Sequence, residues 1–395
     1  MIWKFLLSTF ILSHTATLAY KQQVLTENKP YWFATEKKEA TFKLASIYHS
    51  GVGEYEGLFR KAEYEEEETA EEYRLEHIRN NLLKSNGNFS VQIGETKMFN
   101  PYNRDTVLTV AKMTANSYTA PGRPNWINIG DWKVNATFGW QNHGLRGYIF
   151  GTENKDIIVI VFKGTSIIGN PTAHIDKYND NLMFSCCCGS PLRVSNIEPL
   201  MKPICGCATG RNQCNRFCLG QVTRTPNSYY HHALKIYETV SERYPNAEIW
   251  LTGHSLGGAL SSLVGIQKGL PAFTFEAPGE LMYAKRLNLP LPEDMSTLPI
   301  YHFGNTADPV YVGSCNGPGS LCSIAGYAMD SKCHSGNVCT FDTVGEMGWK
   351  LSLHNHKIRK IIDELLVPWK YFESPVSMKC EVENECVDCG LWKYV

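Results

Sequence analysis

Apolar residues along this chain fall into two alternating rhythms. Runs with few polar breaks read as strands: G-Y-I-F-G at 147–151, D-I-I-V-I-V-F at 156–162, A-E-I-W-L at 247–251, P-A-F-T-F-E-A-P-G at 271–279 and P-I-Y-H-F-G-N-T-A-D-P-V at 299–310. A continuous apolar strand is what a sheet covered on both faces requires. Elsewhere apolar residues return every three or four positions, at Val107, Val110, Ala111 and Ala115, then at Ala233, Ile236, Tyr237, Val240 and Tyr244. Those spacings predict helices over 100–118 and 229–244, the second closed by Pro245. A run of small residues at 259–267 predicts another, directly after the 247–251 strand. Strand and helix then alternate, which predicts an α/β fold with a mostly parallel sheet and helices on both faces. In such a sheet, functional groups gather at the carboxyl ends of the strands.

Some stretches fall outside this rhythm. Residues 40–49 are strand-like, and residues 63–79 are glutamate-rich and helical in pattern, a charge run that reads as a solvated face. A cysteine-rich insertion with no regular period spans 186–218. The expected division is a targeting segment at 1–20, an extension with the acidic stretch at 21–99, the α/β unit at 100–370 with its insertion, and a cysteine-containing tail at 371–395.

Composition narrows the setting. A chain of 395 residues with 43% hydrophobic residues and a formal net charge of −1 is globular, and no bulk positive charge suits nucleic acid. Residues 1–20 carry Lys4, an apolar run at 5–12 and Thr17-Leu18-Ala19. This reads as a signal peptide cleaved after Ala19, or as a short uncleaved signal-anchor. None of the 14 cysteines precedes Cys186. An even count clustered in loops behind a secretory-type start predicts disulfides. Zinc is the alternative, from Cys205-x-Cys207 and Cys386-x-x-Cys389, but neither pair has a matching second pair at finger spacing. Sequons at Asn88 and Asn135 agree with a lumenal setting.

The candidate chemistry centres on G-H-S-L-G at 253–257, between a strand and a helix. The G-x-S-x-G spacing sets a serine on a strained strand-to-helix turn, with its hydroxyl projecting from the sheet edge. Flanking glycines let strand and helix pass closely, and the amide of Leu256 lies at a helix N-terminus suited to an oxyanion. Ser255 is the candidate nucleophile. It needs a base and an acid, which α/β-hydrolases supply in the order serine, acid, histidine. Asp308 at the C-terminal end of the 299–310 strand and His356 on a loop entering a helix fit that order; Asp294, Asp330, His302 and His354 are the competitors. Lys163-Gly164-Thr165-Ser166 ends the 156–162 strand, where Thr165 could complete an oxyanion hole.

G-H-S-L-G-G-A-L, I-V-F-K-G-T-S and N-T-A-D-P-V together resemble the class 3 lipases, an α/β-hydrolase family. F-K-L-A-S-I-Y-H-S-G, D-K-Y-N-D-N-L-M-F-S-C-C-C, G-W-K-L-S-L-H-N-H-K-I and C-V-D-C-G-L-W-K-Y resemble its branch of fungal autophagy-related vacuolar lipases. The resemblance implies an N-terminally anchored glycoprotein that travels through multivesicular endosomes to the vacuole. There it breaks down the membranes of autophagic bodies and intralumenal vesicles, acting on phospholipids. It also carries the roles over by position: Ser255 as nucleophile, Asp308 as acid, His356 as base, and Thr165 and Leu256 at the oxyanion hole.

The expected protein is therefore a serine lipase acting on membrane glycerolipids, with membrane phospholipid as its partner and no metal or organic cofactor. A triacylglycerol lipase and a non-catalytic membrane adaptor on the same scaffold are the alternatives. The apolar residues Ile167, Ile168, Leu182, Met183 and Phe184, between the oxyanion strand and the next helix, are candidates for a lid or membrane contact.

Overall fold

The computed structural model describes residues 103–119, 123–140, 144–166, 172–189, 203–316, 319–369 and 376–395. It also gives the backbone of short strands at Glu39–Ala40, Phe42–Ile47, Leu58–Ala62 and Thr96–Lys97. The targeting segment, the acidic stretch, Asn88, Ile167 and Ile168 lie outside the described residues. The strand expected over 40–49 is Phe42–Ile47, paired antiparallel with Leu58–Ala62.

Eight strands form the central sheet: β1 (Lys133–Phe138), β2 (Gly147–Gly151), β3 (Ile157–Phe162), β4 (Glu248–His254), β5 (Ala272–Phe275), β6 (Ile300–Asn305), β7 (Asn337–Phe341) and β8 (Met378–Glu381). They lie side by side in chain order. The ladders from β3 to β7 are parallel, and the outer pairings β1–β2, β2–β3 and β7–β8 are antiparallel. This mostly parallel sheet with a serine elbow after a central strand is an α/β-hydrolase fold. Along β3 the side chains divide by twos, as a strand covered on both faces must. Ile158, Ile160 and Phe162 join one core with helices α4 (Tyr229–Arg243) and α5 (Leu256–Lys268), which follow the short helix α3 (Arg216–Thr223) in the chain. Ile157, Val159 and Val161 join the other with helix α1 (Arg104–Asn116) and the helical residues 358–366. The N-cap Asn103 starts α1 by accepting from the Thr106 amide. Among the described residues no helix is long and apolar enough to cross a membrane.

All 14 cysteines are paired. The triple cysteine is spread over three partners, Cys186 with Cys389, Cys187 with Cys214 and Cys188 with Cys205. The sulfurs of Cys188, Cys205 and Cys207 lie within 4.8 Å of one another, but Cys207 is bonded to Cys218. Residues 376–395, which read from sequence as a tail, are built into the body. Met378–Glu381 extends the central sheet, and Lys393–Tyr394 pairs with Gln213–Cys214 of the insertion. Cys333–Cys386 and Cys339–Cys380 add two covalent anchors. Ladder bonds and disulfides between distant segments leave no periodic trace in sequence. Replacing Cys186 and Cys389 together with serine removes a crosslink spanning 203 residues and should cost about 2–4 kcal/mol. Urea unfolding of the double variant measures it, and an unchanged midpoint would show that the remaining bridges suffice.

Leu182, Met183 and Phe184 end helix α2 (Ala173–Phe184) and are at most 1% exposed, within the core shared with α4 and α5. They cannot serve as a lipid-contact surface in this conformation. The end of α2 is enclosed on every side, with Asn179 through Phe184 all buried, and sequence proximity to the oxyanion strand does not reveal that.

Candidate active site

β4 runs into Ser255, whose backbone (φ 56°, ψ −129°) lies outside the regions open to most side chains, and α5 starts at the next residue. A Cβ at Gly253 would stand 2.2 Å from the Gly257 backbone, and one at Gly257 would stand 2.1 Å from the Phe162 carbonyl oxygen. Only glycine allows strand, elbow and helix to cross this closely. The Ser255 amide donates to the Phe275 carbonyl at 3.0 Å, tying the elbow to β5.

The structure brings the expected residues together. His356, on the short helical turn Leu353–His356, has Nε2 2.9 Å from Ser255 Oγ and Nδ1 2.7 Å from Asp308 Oδ2. Asp308 follows β6 and is fully buried, and its Oδ1 accepts from the Val310 amide at 2.9 Å. Burial would raise its carboxyl, but adjacent His356, a hydrogen bond from Glu276 and the Val310 amide hold it below the usual range. At these separations a histidine can take a serine proton while a carboxylate fixes its tautomer.

The competitors stand elsewhere. His302 is fully buried in β6 beside Thr274 and Glu280, as its strand position predicts. His354 is exposed, with Nδ1 3.3 Å from Lys357 Nζ. Asp294 caps the turn Met295–Thr297, and Asp330 accepts from the Cys186 amide.

On the oxyanion side, β3 ends against the elbow: a Cβ on Gly164 would meet the His254 carbonyl oxygen at 2.3 Å and Ser255 Cβ at 3.2 Å. Thr165 comes next, its hydroxyl donating to Asp180 Oδ2 at 2.7 Å, and burial pushes the Asp180 carboxyl up to about 8. Leu256 is fully buried as the first residue of α5, so its N–H is one of the first-turn amides without a helical partner. Asn135 lies in β1 with its side-chain nitrogen buried near Gly151, so a glycan there would require the side chain to turn outward.

Several neighbours carried no assigned role in the sequence reading. His254 Nε2 is 2.6 Å from the His356 carbonyl oxygen, and the Tyr118 hydroxyl is 2.7 Å from His254 Nδ1. Burial, then the proximity of His356, lowers His254 to about 3, so it stays a neutral ring that bonds to the backbone beside the base. Its place in the G-H-S-L-G motif was a usable signal. Glu276 and Asn305, at the ends of β5 and β6, contact Asp308 and the His356 loop, with nothing in local sequence to mark them.

A sequence profile described as a Tle-like phospholipase domain matches residues 216–284, the segment that holds the elbow. The putative lipase ATG15 of Pichia angusta is 43% identical over 308 residues, 75% of this chain and 55% of that protein. The putative lipase ATG15 of Candida glabrata is 44% identical over 305 residues, 74% of this chain and 58% of that one. The chain spans little more than half the length of these curated relatives. Among solved structures, the Lip2 lipase of Yarrowia lipolytica is 16% identical with a TM-score of 0.34, covering 62% of this chain and 80% of that one. So low a score adds nothing to the strand order given above. Over about three-quarters of its length, the chain is a homologue of the fungal proteins named putative lipase ATG15.

Proposed function

We propose that the chain is a serine lipase that hydrolyses ester bonds of membrane glycerolipids in the vacuolar or endosomal lumen. The observation that carries this reading is the unbroken chain from Ser255 Oγ through the His356 ring to Asp308. His356 Nε2 takes the hydroxyl proton as Ser255 Oγ attacks the ester carbonyl, and Asp308 stabilises the imidazolium formed. The oxyanion develops at the N-terminus of α5, where the Leu256 and Thr165 amides are the donors this reading assigns. His356 returns its proton to the departing alcohol, takes one from water as that water attacks the acyl-enzyme, and gives it to Ser255 Oγ as the carboxylic acid leaves. Protons balance over the two halves, and no metal or organic cofactor enters.

The lumenal setting is supported by the paired cysteines and by the secretory pattern of residues 1–20. The phospholipase description of the matching profile and the family resemblance favour phospholipid over neutral lipid, and turnover of autophagic and intralumenal membranes as the role. Purified protein assayed on phospholipid vesicles, triolein and a small soluble ester separates the readings. Hydrolysis of vesicles well above triolein is the expected result. The reverse order would make the chain a triacylglycerol lipase, and vesicle binding with no hydrolysis of any ester would make it an adaptor.

A further inference from the structure

Glu276 follows β5 at the C-terminal edge of the sheet, one strand away from the turn that carries Asp308. Three observations single it out. It is fully buried. Its backbone has φ 46°, in the left-handed region that disfavours a side chain and that glycine would occupy freely. Its carboxyl neighbours that of Asp308, and two buried carboxyl groups at close range cannot both keep their charge.

The neighbouring groups decide which one keeps it. Asp308 accepts from His356 Nδ1 on one oxygen and from the Val310 amide on the other, and the adjacent imidazole favours its charged form, so it is the ionised partner. Glu276 Oε1 accepts from Asn305 Nδ2 at 2.9 Å, and Oε2 lies 3.3 Å from the Asn305 amide. Burial and then the charge of Asp308 push the Glu276 carboxyl far up. The same Asn305 side chain donates to the carbonyl of Asn355, the residue before His356, at 3.1 Å. Glu276 is thereby connected to both the acid and the loop of the base.

We propose that Glu276 is a positioning residue, a neutral carboxylic acid whose O–H donates to Asp308 and holds that carboxylate in the orientation His356 needs. This rests on the reading of Ser255, His356 and Asp308 as the reacting chain. A residue that only filled space would not require a polar group in a strained backbone, buried beside another carboxyl. Glu276 itself touches no reacting atom.

The test compares Glu276→Met, which keeps bulk and loses the donor, with Glu276→Gln, which keeps an N–H facing Asp308. On a soluble ester Glu276→Met should lower kcat about 10- to 100-fold, as expected when a catalytic group is misaligned, with KM within about twofold. Glu276→Gln should recover most of that loss. Equal losses in the two variants, or a Met variant as active as the parent, would overturn the proposal. Infrared difference spectra of the parent against Glu276→Gln at neutral pH give a second readout that needs no turnover and remains available if the Met variant does not fold. A carbonyl band of a protonated acid, lost in the Gln variant, is expected; carboxylate bands in its place would overturn the proposal. If Ser255→Ala kept its activity, the reading of the reacting chain would fail, while the infrared band would still report on Glu276.

Discussion

Ser255→Ala should fold as the parent does and hydrolyse a soluble ester at least about 10³-fold more slowly. The strain at Ser255 is a backbone property that alanine shares, and the glycines that let strand and helix cross are untouched. What alanine lacks is the hydroxyl oxygen that lies 2.9 Å from His356 Nε2. His356→Ala should cost about as much, and the double variant little more than either single one. Nucleophile and base act as a unit, so their losses do not add. His354→Ala, which removes an exposed ring beside Lys357, should be mild. Initial rates of the four variants decide the assignment. Near-parental hydrolysis by Ser255→Ala would remove the nucleophile, and the reverse ranking of the two histidines would move the base.

Asp308→Asn should lower kcat by about 10⁴-fold, the scale of the same exchange in a serine protease triad. The side chain keeps its shape, so the effect comes through proton placement. An amide nitrogen facing His356 Nδ1 would donate to it, and the ring proton would then sit on Nε2, pointing at Ser255 Oγ. A ring in that tautomer cannot accept the serine proton. The depressed carboxyl of Asp308 makes a related prediction for stability. Its folded pKa lies below the unfolded one, so its contribution is present above the unfolded value and is lost as pH falls through the folded value. Asp308→Asn should therefore flatten the acid side of the stability curve. Urea midpoints measured from neutral pH downward test this, and an unchanged acid slope would mean that the carboxylate is not stabilised in the native state.

Much of this architecture was legible because it is local. The parallel strands are apolar on both faces, and the helices over 104–116 and 229–243 repeat at the helical period. The elbow advertises itself through glycines whose Cβ would collide with backbone. Asp308 and His356 could be picked by order and by position at strand and loop ends. Long-range features were not legible. Strand β7 sits in a cysteine-containing stretch without a clear period, and β8 belongs to a segment that looks like a loose tail until Cys339 and Cys380 join. The apolar end of α2 reads as a surface in sequence, because sequence does not say what packs around a helix end. Glu276 was invisible for the same reason, since its meaning lies in a carboxyl from another strand.

The central claim is that an acyl group passes through Ser255. Rapid mixing of the purified protein with a slowly deacylated ester, followed by an acid quench and peptide mass analysis, tests it most directly. The account predicts one acyl group, on the peptide containing Ser255, and none in His356→Ala. An acyl group on another residue, or turnover with no covalent intermediate in a burst experiment able to detect one, would contradict it.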